Sequence, residues 1–145
     1  MVKPELKNVI REFQILHEKS WYHINDAFGN GSGVYKLFCK DSTGKRIPVH
    51  RVTKIDESGI LYIGKVSNFL DRVIELKKSL HPDYSSSSHS CGVRYKSSYE
   101  LMEKFTPENL YIELIVDEDY ANLEKEELNK YLTEFHELPP LNRNL

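Results

Sequence analysis

The most constraining feature of this chain is a change of period inside "GILYIGKVSNFLDRVIEL", residues 59–76. Up to Gly64 the pattern is that of a short strand. After it, Phe69, Val73, Leu76 and Leu80 recur at three and four, which lines one face of a helix. Asn68, with Asp71 three residues on, supplies the start signal of a helix of about twelve residues. A strand, a glycine turn and a capped helix therefore sit at the centre of the chain.

The flanks extend this frame. "GVYKLFCK" from Gly33 alternates, with Tyr35, Leu37 and Cys39 on one side and Val34 and Phe38 on the other, and "NLYIELIV" alternates Leu110, Ile112, Leu114 and Val116 against Tyr111, Glu113 and Ile115. Leu6, Val9, Ile10, Phe13 and Leu16 follow a helical spacing, so an N-terminal helix is expected, and "DAFGNGSG" reads as a loop. "HPDYSSSSHSCG" is polar and serine-rich and reads as a mobile loop. A small helix is expected in "SYELMEKF", and a last one in "DEDYANLEKEELNKYLTEF", closed by "ELPPLN". The expected class is α+β: a small three-stranded, mainly antiparallel sheet flanked by helices, with an extra N-terminal helix and a long insertion between the first two strands.

The chain's 145 residues suit one domain, residues 1–145, with 1–30 as a helical extension and 31–145 as the core. A composition 39% hydrophobic and 29% charged is that of a folded protein. No apolar run approaches the ~20 residues of a membrane span, and the N-terminus lacks the apolar centre of a signal peptide, so a soluble, cytoplasmic protein is expected. Cys39 and Cys91 stand alone, which indicates neither a disulfide framework nor a zinc finger. Net charge is −2 but unevenly spread: residues 1–30 sum to 0, 31–80 to +5 and 81–145 to −7. The basic excess coincides with the strand–turn–helix segment.

The last helix contains an anomaly. At 100° per residue, Tyr120, Ala121, Leu128, Tyr131, Leu132 and Phe135 share an arc of about 120°, and Glu124 falls inside it while Glu127 lies at its flank. A carboxylate in an apolar stripe needs a cation or hydrogen-bond donors, so either a buried ion pair, with Arg72 or a lysine, or a metal or catalytic role is implied.

Five elements in order carry a resemblance: "GVY" at 33–35, "YIG" at 62–64, "GKVSNFLDR" at 64–72, an acidic residue in a later helix and "PPLN" at 139–142. Together they resemble the GIY-YIG nuclease family, and the 64–72 match is similar to the GKxxNLxxR pattern of nucleotide excision repair nicking domains, with Phe69 in place of leucine. The resemblance covers roughly residues 32–143. It departs from the family in spacing, since Tyr35 and Tyr62 lie 27 residues apart and the family's two motifs about ten. The excess is the insertion "DSTGKRIPVHRVTKIDES", expected to extend a hairpin and carry Lys45, Arg46, Arg51 and Lys54 towards DNA.

The resemblance implies a metal-dependent DNA endonuclease that hydrolyses a phosphodiester with one divalent ion, Mg²⁺ or Mn²⁺, on a single carboxylate. It assigns Glu124 as metal ligand, with Glu127 as the other candidate. Arg72 is assigned to the scissile phosphate, where its planar fork matches two oxygens. Tyr35 or Tyr62 would take the proton from water; a phenol pKa of about 10 requires a nearby cation, and Lys65 is the local one. Asn142 would brace the last turn, and His89 could assist as a histidine does in restriction-type members. Trp21 and Tyr22 either stack on bases or close a core. A homodimer or a partner protein would supply specificity. The competing reading is a catalytically silent adaptor with the same fold that binds DNA or protein.

Overall fold

The computed structural model describes residues 9–81 and 90–143. Its centre is a four-stranded antiparallel sheet in the order β1-β6-β2-β5, formed by β1 (Ile10–Gln14), β2 (Gly33–Cys39), β5 (Tyr62–Val66) and β6 (Leu110–Val116). β2 lies inside the sheet and is buried on both faces apart from Lys36, as expected for a strand paired on both sides. In the β2–β5 register Tyr35 stands opposite Gly64 and Leu37 opposite Tyr62.

The larger core lies on the face that carries Tyr35, Leu37, Cys39, Ile112 and Leu114. It is covered by α1 (Ser20–Phe28), α2 (Phe69–Leu80) and α3 (Ser90–Lys96), with α4 (Tyr99–Lys104) beside them. In α2 the apolar face is the one the spacing requires, Phe69, Val73, Leu76 and Leu80 being buried, and the Asn68 side chain accepts the Asp71 N–H as its cap. α3 approaches α2 closely because Gly92 has no side chain: a Cβ there would lie 1.6 Å from Ser79 Oγ. The opposite face holds a smaller core of Val34, Ile60 and Ile63 against Leu128, Tyr131 and Phe135 of α5 (Tyr120–Phe135). In α5's first turn the expected arc is kept by Tyr120 and Glu124, both half-buried, but not by Ala121, which is exposed while Leu123 is half-buried.

Three expectations are corrected. Residues 10–14 form an edge strand rather than a helix, paired along β6 from Ile10 opposite Ile115 to Gln14 opposite Tyr111, and the sheet has four strands instead of three. Helix α1 instead occupies 20–28, reaching into the stretch read as loop. The end of the serine-rich segment, from Ser90, is the start of α3; its residues 82–89 lie outside the described residues.

The insertion is folded rather than extended. It forms the two-residue strands β3 (Val49–His50) and β4 (Ile55–Asp56) and is tied to α5 through Asp56, which is 1% exposed. The Asp56 carboxylate accepts hydrogen bonds from the Ser58 N–H and hydroxyl, from the N–H groups of Gly59 and Ile60, and from the Tyr131 hydroxyl. A buried carboxylate is stable only with such a set of donors. Among the described residues, no helix is long and apolar enough to cross a membrane.

Candidate active site at the β5 edge

Three residues of the family-like motifs meet on the larger core's side of the sheet. Tyr35, 1% exposed on β2, and Tyr62, half-buried on β5, have ring centres 5.7 Å apart and planes inclined by 38°. They are diagonal neighbours, and Gly64 opposite Tyr35 leaves them room to lean together. A Cβ at Gly64 would lie 2.8 Å from atoms of both rings. Arg72, in the first turn of α2, holds its guanidinium carbon 5.8 Å from the centre of the Tyr35 ring, a cation–π distance. Its other neighbour is Glu75, at 3.5 Å and well exposed, a weak pair on the helix surface.

Burial controls both phenols. It drives Tyr35 well above the ordinary tyrosine value, with Tyr62 and Cys91 adding to the rise and Arg72 opposing it. Tyr62 is raised too, by burial first and then by Cys91 and the charge of Glu124, against a hydrogen bond from Tyr35 and the charge of Arg94. Both phenols are therefore protonated at neutral pH. Lys65 plays no part in this balance. Strand alternation turns its side chain away from Tyr62 and into solvent, so among the described residues the cations that face the tyrosines are Arg72 and Arg94.

Glu124 and Asn142 reach the same strand from its open edge. The Glu124 carboxylate, half-buried on α5, accepts the Lys65 backbone N–H at 2.9 Å. The Asn142 side chain clasps Ile63, accepting its N–H and donating to its carbonyl, each at 2.9 Å. The bracing role expected of Asn142 is thus a direct one, closing the two outward-facing polar groups of an edge residue. Leu141 N–H adds a bond to the Leu61 carbonyl at 2.9 Å, and Leu141's own carbonyl receives Nε of Arg94 at 2.6 Å and also its Nη2.

The two acidic candidates separate on their partners. Glu127 is bonded to the Lys36 ammonium and faces Lys130. Burial raises its carboxyl, but the Lys36 hydrogen bond and the two lysine charges outweigh this and hold it below the ordinary value. Glu124 has no ion pair among the described residues, and the Lys65 amide occupies only one of its oxygens. Of the two, only Glu124 offers an uncompensated carboxylate with a free oxygen, the donor a hard divalent cation requires. Among the described residues no three His, Cys, Asp or Glu side chains gather as a metal cluster, and an ion that keeps most of its water needs only one such carboxylate.

The insertion's cations are elsewhere, and two of the four are held in ion pairs. Arg46 bonds to Glu12 and Glu113 and lies 3.7 Å over the Phe38 ring; Arg51 pairs with Glu137 and donates to the Leu138 carbonyl. These two stitch the insertion to the sheet and to the segment that follows α5. Lys45 and Lys54 are exposed, the latter 5.9 Å from the Phe135 ring, apart from the tyrosine cluster. His89 lies outside the described residues.

Two neighbours were not singled out in the sequence. Cys91 is fully buried against the cluster, its thiol pushed up to about 12 by burial despite the charges of Arg94 and Arg72. Arg94 joins Tyr62's surroundings to the C-terminal segment. Neither has a signal in sequence beyond lying in "SCGVRYK", because only the packing of α3 on α2 brings them here. No family model matches the chain, and neither a curated protein nor a solved structure matches it significantly.

Proposed function

We propose that the chain is a GIY-YIG-like, metal-dependent DNA endonuclease that hydrolyses phosphodiester bonds. The observation that carries this reading is the convergence on β5 of a tyrosine pair, an arginine and an uncompensated carboxylate, with Asn142 locking the strand between them. Arg72 supplies a permanently charged planar fork for two phosphate oxygens. The Tyr35 hydroxyl orients the attacking water, and Tyr62, the less buried, accepts its proton in the minor fraction of molecules in which it is phenolate, returning to the phenol. Glu124 would hold Mg²⁺ or Mn²⁺ through the oxygen the Lys65 amide leaves free; when bound, the ion neutralises the phosphate and the departing 3′ oxygen.

The sign of the pH dependence follows from the raised phenol. If Tyr62 takes the proton, the rate at saturating metal rises with pH and shows no plateau below about pH 10; a plateau near neutrality would assign the base to another group. The decisive experiment incubates supercoiled plasmid, branched DNA and single strands with Mg²⁺, Mn²⁺ or EDTA. Metal-dependent nicking is expected of the wild type, and Arg72→Ala and Glu124→Ala should each lose it by 100-fold or more, on the order of the loss from removing one charge-stabilising group, while Glu127→Ala retains it. Absence of nicking on all three substrates would favour the adaptor reading, in which the Glu124 and Asn142 bonds serve only to close the sheet edge.

A further inference from the structure

On the other flank of α2 from the tyrosine cluster, α1 and α2 enclose an open cavity of about 570 Å³. Leu16, Trp21, Tyr22 and Ile74 supply its apolar wall, and Lys77, Lys78 and His81 its polar one; among the described residues no carboxylate lines it. Tyr22 is 62% exposed and Ile74 43%, a cost in exposed apolar surface on two neighbouring helices, and Tyr22 stands edge-on to Trp21 at 5.3 Å between ring centres. Lys77 is fixed by donating to the His17 carbonyl at 3.0 Å, while Lys78 is exposed with no ion pair among the described residues.

Flat aromatic surface beside positive charge is the combination that holds single-stranded nucleic acid: bases stack on the rings while the ammonium groups meet the backbone. We infer that this α1–α2 cavity is a binding subsite for single-stranded DNA, with a base against Trp21 and Tyr22 and adjoining phosphates on Lys77 and Lys78. The choice of DNA rests on the nuclease reading; the stacking and charge do not. The active-site cluster lies beyond α2, so binding here needs no metal and no turnover.

Trp21 is the chain's single tryptophan, and its fluorescence reports this cavity alone. The test titrates the intact protein, in EDTA, with a twelve-residue oligo-dT strand and the matching oligo-U strand, following tryptophan emission. Saturable quenching by oligo-dT is expected, weakening about sevenfold between 50 and 200 mM salt if two phosphates are neutralised. Tyr22→Ala should weaken binding at least fivefold, and Lys78→Glu should weaken it and flatten the salt dependence, while unchanged circular dichroism confirms that both variants fold. Binding that is absent at 50 mM salt, or indifferent to both substitutions, would overturn the subsite. Tighter binding of oligo-U would overturn the assignment to DNA. Because EDTA removes any cleavage, failure of nicking with intact quenching defeats only the nuclease reading, and the converse defeats only the subsite.

Discussion

The two edges of the sheet are protected in opposite ways. β1 defends itself: Ile10 is 57% exposed, only Phe13 of the strand is buried, and Glu12 gathers Lys40 and Arg46 into a surface ion network with Glu113 of the neighbouring strand. β5 is closed instead by polar groups brought from far along the chain, Glu124 from α5 and Asn142 from the C-terminal segment. Charges borne on an edge strand are tolerant, because the contacts of Glu12 lie near the surface, where solvent and salt screen them. Side chains clasping backbone groups are not, because losing one leaves donors and acceptors without partners. The intolerant edge is the one beside the tyrosine pair.

The sharpest test of this contrast is Asn142→Ala, which removes both bonds to Ile63. It is expected to cost about 2 kcal/mol in urea unfolding and to reduce nicking as well, since β5 is then free to shift. Gly64→Ala should follow closely, forcing the two rings apart at about 1–3 kcal/mol, with a changed near-ultraviolet circular dichroism signal. Glu124→Gln comes next: its amide oxygen can still accept the Lys65 N–H, so stability should fall by less than about 1 kcal/mol while metal-dependent nicking is lost. Equal losses of stability and activity in that variant would reduce Glu124 to an edge clasp.

Glu12→Gln on the opposite edge should do least, within about 0.5 kcal/mol at neutral pH. Burial raises the Glu12 carboxyl, but hydrogen bonds and charges from Arg46 and Lys40 prevail and hold it below its ordinary 4.5. A depressed folded-state value means that its contribution is present above about pH 4.5 and fades as pH falls below that. Comparing acid unfolding of Glu12→Gln and wild type should show a difference that narrows as pH falls below 4.5 and shrinks in high salt; a difference that persists once the carboxyl is protonated would mean packing, not charge, holds that edge.

The same contrast explains which parts could be read in the sequence. α2 was legible because its information is local: the Asn68 cap and the Phe69, Val73, Leu76 and Leu80 stripe operate within one element. β2 and β6 were legible through alternation. β1 was misread because Ile10, Phe13 and Leu16 fall at helical spacing by chance, and what makes residues 10–14 a strand is the free edge of β6, about a hundred residues away. Glu124 stood out because an acid in an apolar arc is a local conflict, and the structure resolves it with a backbone amide rather than a cation. The ion pairs of Arg46 and Arg51 were not legible for the reverse reason, their partners Glu12, Glu113 and Glu137 being distant in sequence. Arg94 and Cys91 depend wholly on helix packing.

The bond between Glu124 and the Lys65 amide makes the main chain a sensor of its own candidate site. A single backbone nitrogen, labelled and observed by magnetic resonance, feels that carboxylate directly. Whatever draws on the carboxylate must alter how strongly it holds this proton, so one peak in a spectrum of the substrate-free protein can register occupancy before any strand is cut.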